Sequence, residues 1–175
     1  MNSRNLLLTV IGTLALAGPA GDASARGLAN WRAQALAPLE GSWIVSIQPV
    51  VCTPGADVPN VPPVTSYLTF AAGSTMTEST SNPAFAPGQR GSGHGYWERT
   101  GRTSYQFVMQ AFVTAESGRY KPGHQRIEQT VEMHSKDDWT STGPVQFFDV
   151  FDLASAPGRT PYIQGCARAT GLRMF

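Results

Sequence analysis

The chain reads as an all-β domain, and three observations carry that reading. Apolar and polar residues alternate with a period of two along several segments, most cleanly from Gln125 to His134, which is the pattern of a strand with one buried face. Clusters of Gly, Pro, Asn and Asp separate about eight such segments at short intervals, the punctuation of antiparallel strands rather than of βαβ units. Helical spacing occurs only near the N-terminus. Strands spaced in this way imply a β-sandwich or an up-and-down barrel.

Residues 1–25 read as a cleavable signal peptide. Arg4 supplies the positive start, and the apolar run from Leu6 to Ala17 is shorter than the roughly 20 residues that a bilayer span needs. Pro19 and Gly21 break the run, and Ala23-Ser24-Ala25 offers the small residues that signal peptidase requires, with cleavage after Ala25. An uncleaved membrane anchor is the alternative, which the short run and the helix breakers oppose. No cysteine follows the run closely, which argues against a lipoprotein. The expectation is a bacterial periplasmic or secreted protein whose residues 26–175 form one domain without repeats or internal linkers.

Leu28, Trp31 and Ala35, at spacings of three and four, predict a short N-terminal helix stopped by Pro38 and Gly41. Trp43, Val45 and Ile47 then alternate with Ser42, Ser46 and Gln48 in a first strand that ends at Pro49. The segment from Thr53 to Pro63 holds four prolines and a glycine and is a loop. Tyr67 to Ala72 is the next strand, punctuated by Gly73, and the Thr/Ser-rich Ser74 to Ser79 is a third. A Pro/Gly-rich loop runs from Asn82 to Gly95, extended structure restarts over Gly95 to Arg99, and Thr100-Gly101-Arg102 turns into Ser104 to Phe112, apolar on both faces. After a connection at Gly118 to Gly123, Ile127, Gln129, Val131 and Met133 share one strand face, with Arg126, Glu128, Thr130, Glu132 and His134 on the other. Lys136-Asp137-Asp138 is a charged turn. Trp139 to Ser141 and Val145 to Leu153 follow, interrupted at Gly143-Pro144, and Pro157-Gly158 leads into the last segment, Thr160 to Met174.

Of the 13 Lys and Arg and 12 Asp and Glu, Arg4 and Asp22 leave with the signal peptide, so 12 and 11 remain. That balance argues against nucleic acid or an anionic membrane as partner, since both call for a concentrated positive face. No later segment is apolar enough to span a bilayer, so the mature protein is expected to be soluble. In an oxidising compartment the two cysteines, Cys52 and Cys166, are expected to pair, tying the first strand region to the last. The alternative, a redox or metal-binding thiol pair, lacks C-x-x-C spacing and a neighbouring His.

Leu39-Glu40-Gly41-Ser42-Trp43 resembles the G-x-W signature of the lipocalin/calycin barrels. The resemblance implies an eight-stranded antiparallel up-and-down barrel, with Trp43 at its closed end. An Arg from the last strand, Arg168 or Arg173, would stack over the indole by cation–π attraction. Gly93-His94-Gly95-Tyr96-Trp97 and Gly165-Cys166-Ala167 further resemble a group of exported bacterial proteins. The likeness covers the two ends of the chain, and the family's mid-chain signatures are not recognisable. An allene-oxide-cyclase-like barrel fits the same pattern.

A barrel of this size holds side chains or one small ligand. The ligand-binding candidates are Tyr67, Glu78, His94, Trp97, Tyr105 and Phe107; the aromatic ones among them serve equally well as core. Glu78 is read either as a solvated strand carboxylate or as an inward group, able with Tyr67 and Tyr105 to do acid–base chemistry. His94, between two glycines, is read as a turn residue or as part of a barrel mouth. The spacings of His94, His124 and His134 match no metal motif, no cofactor is implied, and neither G-x-S-x-G, a P-loop, a dinucleotide fingerprint nor H-E-x-x-H occurs. The expectation is therefore an exported protein that binds a small apolar molecule. A cofactor-free isomerase or cyclase, and an envelope interaction or structural protein, are the alternatives.

Overall fold

The computed structural model describes residues 39–151 and 158–175. The expected signal peptide and N-terminal helix lie outside the described residues. Eight strands follow in order: β1 (Gly41–Val50), β2 (Val64–Ala71), β3 (Thr75–Thr80), β4 (Gly93–Arg99), β5 (Ser104–Val113), β6 (Gly123–Met133), β7 (Asp138–Phe148) and β8 (Ile163–Arg173). Each pairs antiparallel with the next, and β8 returns to β1, from Trp43 opposite Arg173 to Val50 opposite Cys166. The sheet is thus a closed up-and-down barrel, the architecture that leaves no unpaired edge. It is compatible with the lipocalin-like reading.

Two expected boundaries move. The run from Gly93 onward is strand rather than loop. The interruption expected at Gly143-Pro144 is absent, because β7 runs straight through it. Proline lacks an N–H and so can lose bonds on only one side of a strand. Pairing with β6 skips from Thr142 to Val145, while pairing with β8 continues unbroken from Gly143 opposite Ala167 to Val145 opposite Gly165.

The connections divide by length. Residues 51–63, 81–92 and 114–122 and the β7–β8 connection lie at one end, whereas residues 72–74, 100–103 and 134–137 make tight turns at the other. The short-turn end is filled. Trp43 and Trp139 meet edge to face at 6.0 Å, and Phe70 packs edge-on to Trp97 and Trp139 at 6.2 and 6.4 Å, a favoured geometry for aromatic pairs. The Trp43 Nε1 donates to the Leu39 carbonyl at 2.9 Å, and the Arg173 guanidinium lies 4.2 Å from the indole centre. Arg173 Nη1 also donates to the Glu40 carbonyl, at 2.8 Å. Gly41 makes this cover possible: its φ is +130°, and a Cβ there would sit 2.5 Å from Arg173 Nη1. Arg168 does not share this role. It faces outward and pairs with Asp57 at 2.8 Å, because the alternation of β8 turns Ala167 and Ala169 inward and Arg168 out.

Cys52 and Cys166 form the expected disulfide across a sequence separation of 114, at the long-loop end. The floor is held by aromatic packing, whereas at the mouth a covalent bond adds to a smaller aromatic cluster of Phe85, Tyr120 and Phe147. Gly171 is the tightest fit in the floor, since a Cβ on it would lie 2.2–2.6 Å from the Trp139 ring. Gly171→Ala must displace that indole and is expected to lower stability by about 1–3 kcal/mol, measured by urea unfolding.

Candidate functional site

Above the aromatic floor the barrel is not filled. A cavity of about 490 Å³ reaches the long-loop end, with residues of those connections, such as Val61, Phe85 and Arg119, around it. The cause lies in the inward rows. β1 contributes Val45 and Ile47, and β8 contributes Gly165, Ala167 and Ala169, side chains too short to meet across the barrel. A Cβ added to Gly165 would meet nothing within 4 Å.

The interior also carries buried polar side chains, Ser66 on β2, Glu78 on β3, Gln125 and Gln129 on β6 and Ser141 on β7. Glu78 lies in the inward row of β3 with Met76, and only 3% of it is exposed. One carboxylate oxygen accepts from Ser66 Oγ at 3.0 Å, and the other accepts from Arg90 Nη1 at 2.9 Å and the Gly93 N–H at 3.2 Å. Arg90 also donates through Nε to Gln125 Oε1 at 2.6 Å. The ion pair is deeply buried, with side-chain exposures of 4% for Arg90 and 1% for Glu78. Below it, Ser141 Oγ donates to Gln129 Oε1 at 3.0 Å, and Gln129 Nε2 is buried without a partner.

Arg90 comes from the connection between β3 and β4, which is held in place by its neighbour. The Gln89 amide donates to the Ala115 and Ser117 carbonyls and accepts from the Ala86 N–H, at 3.0, 3.4 and 2.8 Å. An isolated bridge between Arg90 and Val113 joins the segment to the end of β5. The guanidinium is therefore delivered into the barrel by a loop with both flanks tied down.

Of the residues singled out in the sequence, Glu78 and Phe107 line the cavity. Trp97 and Tyr105 point inward but belong to the packed floor, Trp97 donating through Nε1 to the Ala71 and Thr75 carbonyls. Two placements correct the expectation. Tyr67 is 52% exposed on the outer face, because Ser66, Leu68 and Phe70 form the inward row of β2. His94 is exposed for the same reason, since the inward positions of β4 are Gly93, Gly95 and Trp97. No His lines the cavity: His124 stacks on Phe148 outside it and donates from Nδ1 to the Val150 carbonyl at 2.6 Å. Among the described residues no group of His, Cys, Asp or Glu is arranged to hold a metal ion.

Sequence reasoning missed Ser66, Arg90 and Gln125. One signal for Arg90 was available: it is the single Lys or Arg between Arg32 and Arg99, and an inward carboxylate on β3 demands a nearby cation. No family model matches the chain, and no match is found among curated proteins or solved structures.

Removing one member of a buried pair strands the other charge. Arg90→Met is expected to lower the unfolding free energy by about 3–5 kcal/mol in urea titrations. The double replacement Glu78→Gln with Arg90→Met should recover most of that loss, because the buried charge is then gone while an acceptor for Ser66 remains.

Proposed function

We propose that this protein is an exported, lipocalin-like binding protein that takes a small, largely apolar molecule into the upper half of its barrel. The observation that carries this reading is the cavity of about 490 Å³ at the long-loop end, above a packed floor. Its size falls in the range of small-molecule sites, about 300–1,000 Å³, and its mix of apolar walls with a few fixed polar groups is typical of them. The signal-peptide pattern of residues 1–25 supports export, and the disulfide agrees with an extracellular or periplasmic location.

Binding is favoured over catalysis by the state of the polar groups. A general base needs a lone pair within reach of a substrate proton. Both Glu78 oxygens are instead occupied by Ser66, Arg90 and Gly93. The carboxylate is better placed to hold Arg90 than to move protons. A purely structural barrel would have no use for an unfilled interior, which costs packing energy.

The test uses N-phenyl-1-naphthylamine, an uncharged dye that brightens in apolar surroundings. The wild-type barrel should bind it saturably, and Gly165→Phe, which projects into open cavity space, should abolish that binding while leaving the far-UV circular dichroism unchanged. Equal binding by a folded Gly165→Phe protein would place the dye elsewhere and remove the support for an interior site. Native mass spectrometry of protein purified from its own host should show a co-purifying small molecule.

A further inference from the structure

Beside the barrel cavity lies a second, polar space of about 330 Å³, on the concave side of residues 79–92. Ser79, Thr80, Ser81, Asn82 and Ser92 contribute to its wall. Thr80, Asn82, Phe85 and Arg90 line both spaces, so the two adjoin along the Arg90 side chain. Phe85, packed on Tyr120 at 4.4 Å, makes an apolar sill between them.

Arg90 is only partly satisfied. Its Nε donates to Gln125 and its Nη1 to Glu78 and the Gly91 carbonyl, while Nη2 donates to no described residue. Arg90 is the one charged residue lining the loop pocket and is paired with Glu78 at 2.9 Å, while Arg119, which leaves one positive charge in excess over the two spaces together, lines the barrel cavity. A site with spare guanidinium donors and clustered hydroxyls suits an oxyanion. A volume of about 330 Å³ is far larger than one carboxylate fills and admits a phosphate ester with its nearest substituents.

We infer that the ligand is a single-chain amphiphile bearing a phosphate head, its chain in the barrel and its phosphate in the loop pocket against Arg90 Nη2. This rests on the proposed function and names the class of molecule bound. The apolar β8–β1 wall receives the chain, and Glu78 and Gln125 hold the guanidinium so that Nη2 faces the head without reorganising. Preorganised donors of this kind give more affinity than flexible surface ones, because little side-chain freedom is lost on binding.

The test displaces N-phenyl-1-naphthylamine from the full-length exported protein, with two lipids of one chain length kept below micellar concentration. One is a monoacylglycerol phosphate, the other the parent monoacylglycerol. The phosphate lipid should displace the dye at a concentration lower by about tenfold or more, the factor expected of one charge-assisted hydrogen bond. Ser92→Trp, an exposed position on the loop pocket, should erase that preference and leave dye binding intact. Arg90→Lys keeps the charge but lacks a second amino group and should reduce it. Equal displacement by both lipids, or by neither, overturns the phosphate head while the binding reading stands on the dye. Displacement by inorganic phosphate alone as effective as by the phosphate lipid overturns the amphiphile. Failure of the dye to bind the wild type overturns both readings.

Discussion

Closing eight strands into a ring turns one row of every strand inward, so the interior is decided by the size of those side chains. The inward row of β8, Gly165, Ala167, Ala169 and Gly171, shows how far this reaches. At the floor, Gly171 is bare and the Trp139 indole fills the space left. At the mouth, Gly165 is equally bare and nothing comes to fill it. The same choice of small residue produces a packed plug at one end and a cavity at the other. The difference is set by the facing strands, which bring Trp43, Phe70, Trp97 and Trp139 to the lower layer and end in loops above.

The Glu78–Arg90 pair gives the cavity its second character. Burying two charges costs desolvation energy that their attraction only partly offsets, and apolar replacements of similar volume would serve stability as well. What the pair does in this fold is positional. It anchors a loop outside the sheet to an inward strand position, and with the Gln89 amide it holds residues 81–92 over the barrel. The ladder could not do this, because backbone pairing between β3 and β4 stops at Glu78 and Gly93. A hydrogen-bonded ion pair is directional where apolar contact is not, and direction is what fixing a loop at the mouth of the barrel requires.

Much of this was legible in the sequence, and the failures share a physical cause. The alternation of Ile127, Gln129, Val131 and Met133 named the inward face of β6 without help, because one uninterrupted face was apolar or amide and the other charged. Trp43 was placed at the closed end by the G-x-W resemblance, and the structure supplies its physical basis, since a Cβ on Gly41 would sit 2.5 Å from Arg173 Nη1. Of the two arginines, only strand parity decides, and parity needs the exact register of β8. Tyr67 and His94 were misplaced for that reason too. Both faces of β2 carry aromatics, Tyr67 outside and Phe70 inside, so residue type does not reveal which way the strand is turned. Pro144 suggested a break because the sequence does not say that its missing donor falls on the β6 side alone. The Arg90 partnership was legible only by elimination, as the one Lys or Arg between Arg32 and Arg99. Its geometry depends on a loop folding back to the barrel, and no local pattern encodes that.

The disulfide connects cavity and compartment. An unfilled interior forfeits the contacts that packed side chains would make, and core cavities are costly in proportion to their volume. The floor compensates with close packing of its Trp and Phe rings, and the mouth has only the smaller cluster of Tyr120, Phe147, Phe85 and Tyr162. Cys52–Cys166 joins β8 to the β1–β2 connection at the mouth, across a sequence separation of 114. In the chain-entropy description a link that long contributes about 4–5 kcal/mol by restricting the unfolded chain. That stabilisation is present only where thiols are oxidised. A barrel with an unfilled upper half therefore gains most from this bond where thiols are oxidised, which is consistent with an extracellular or periplasmic location.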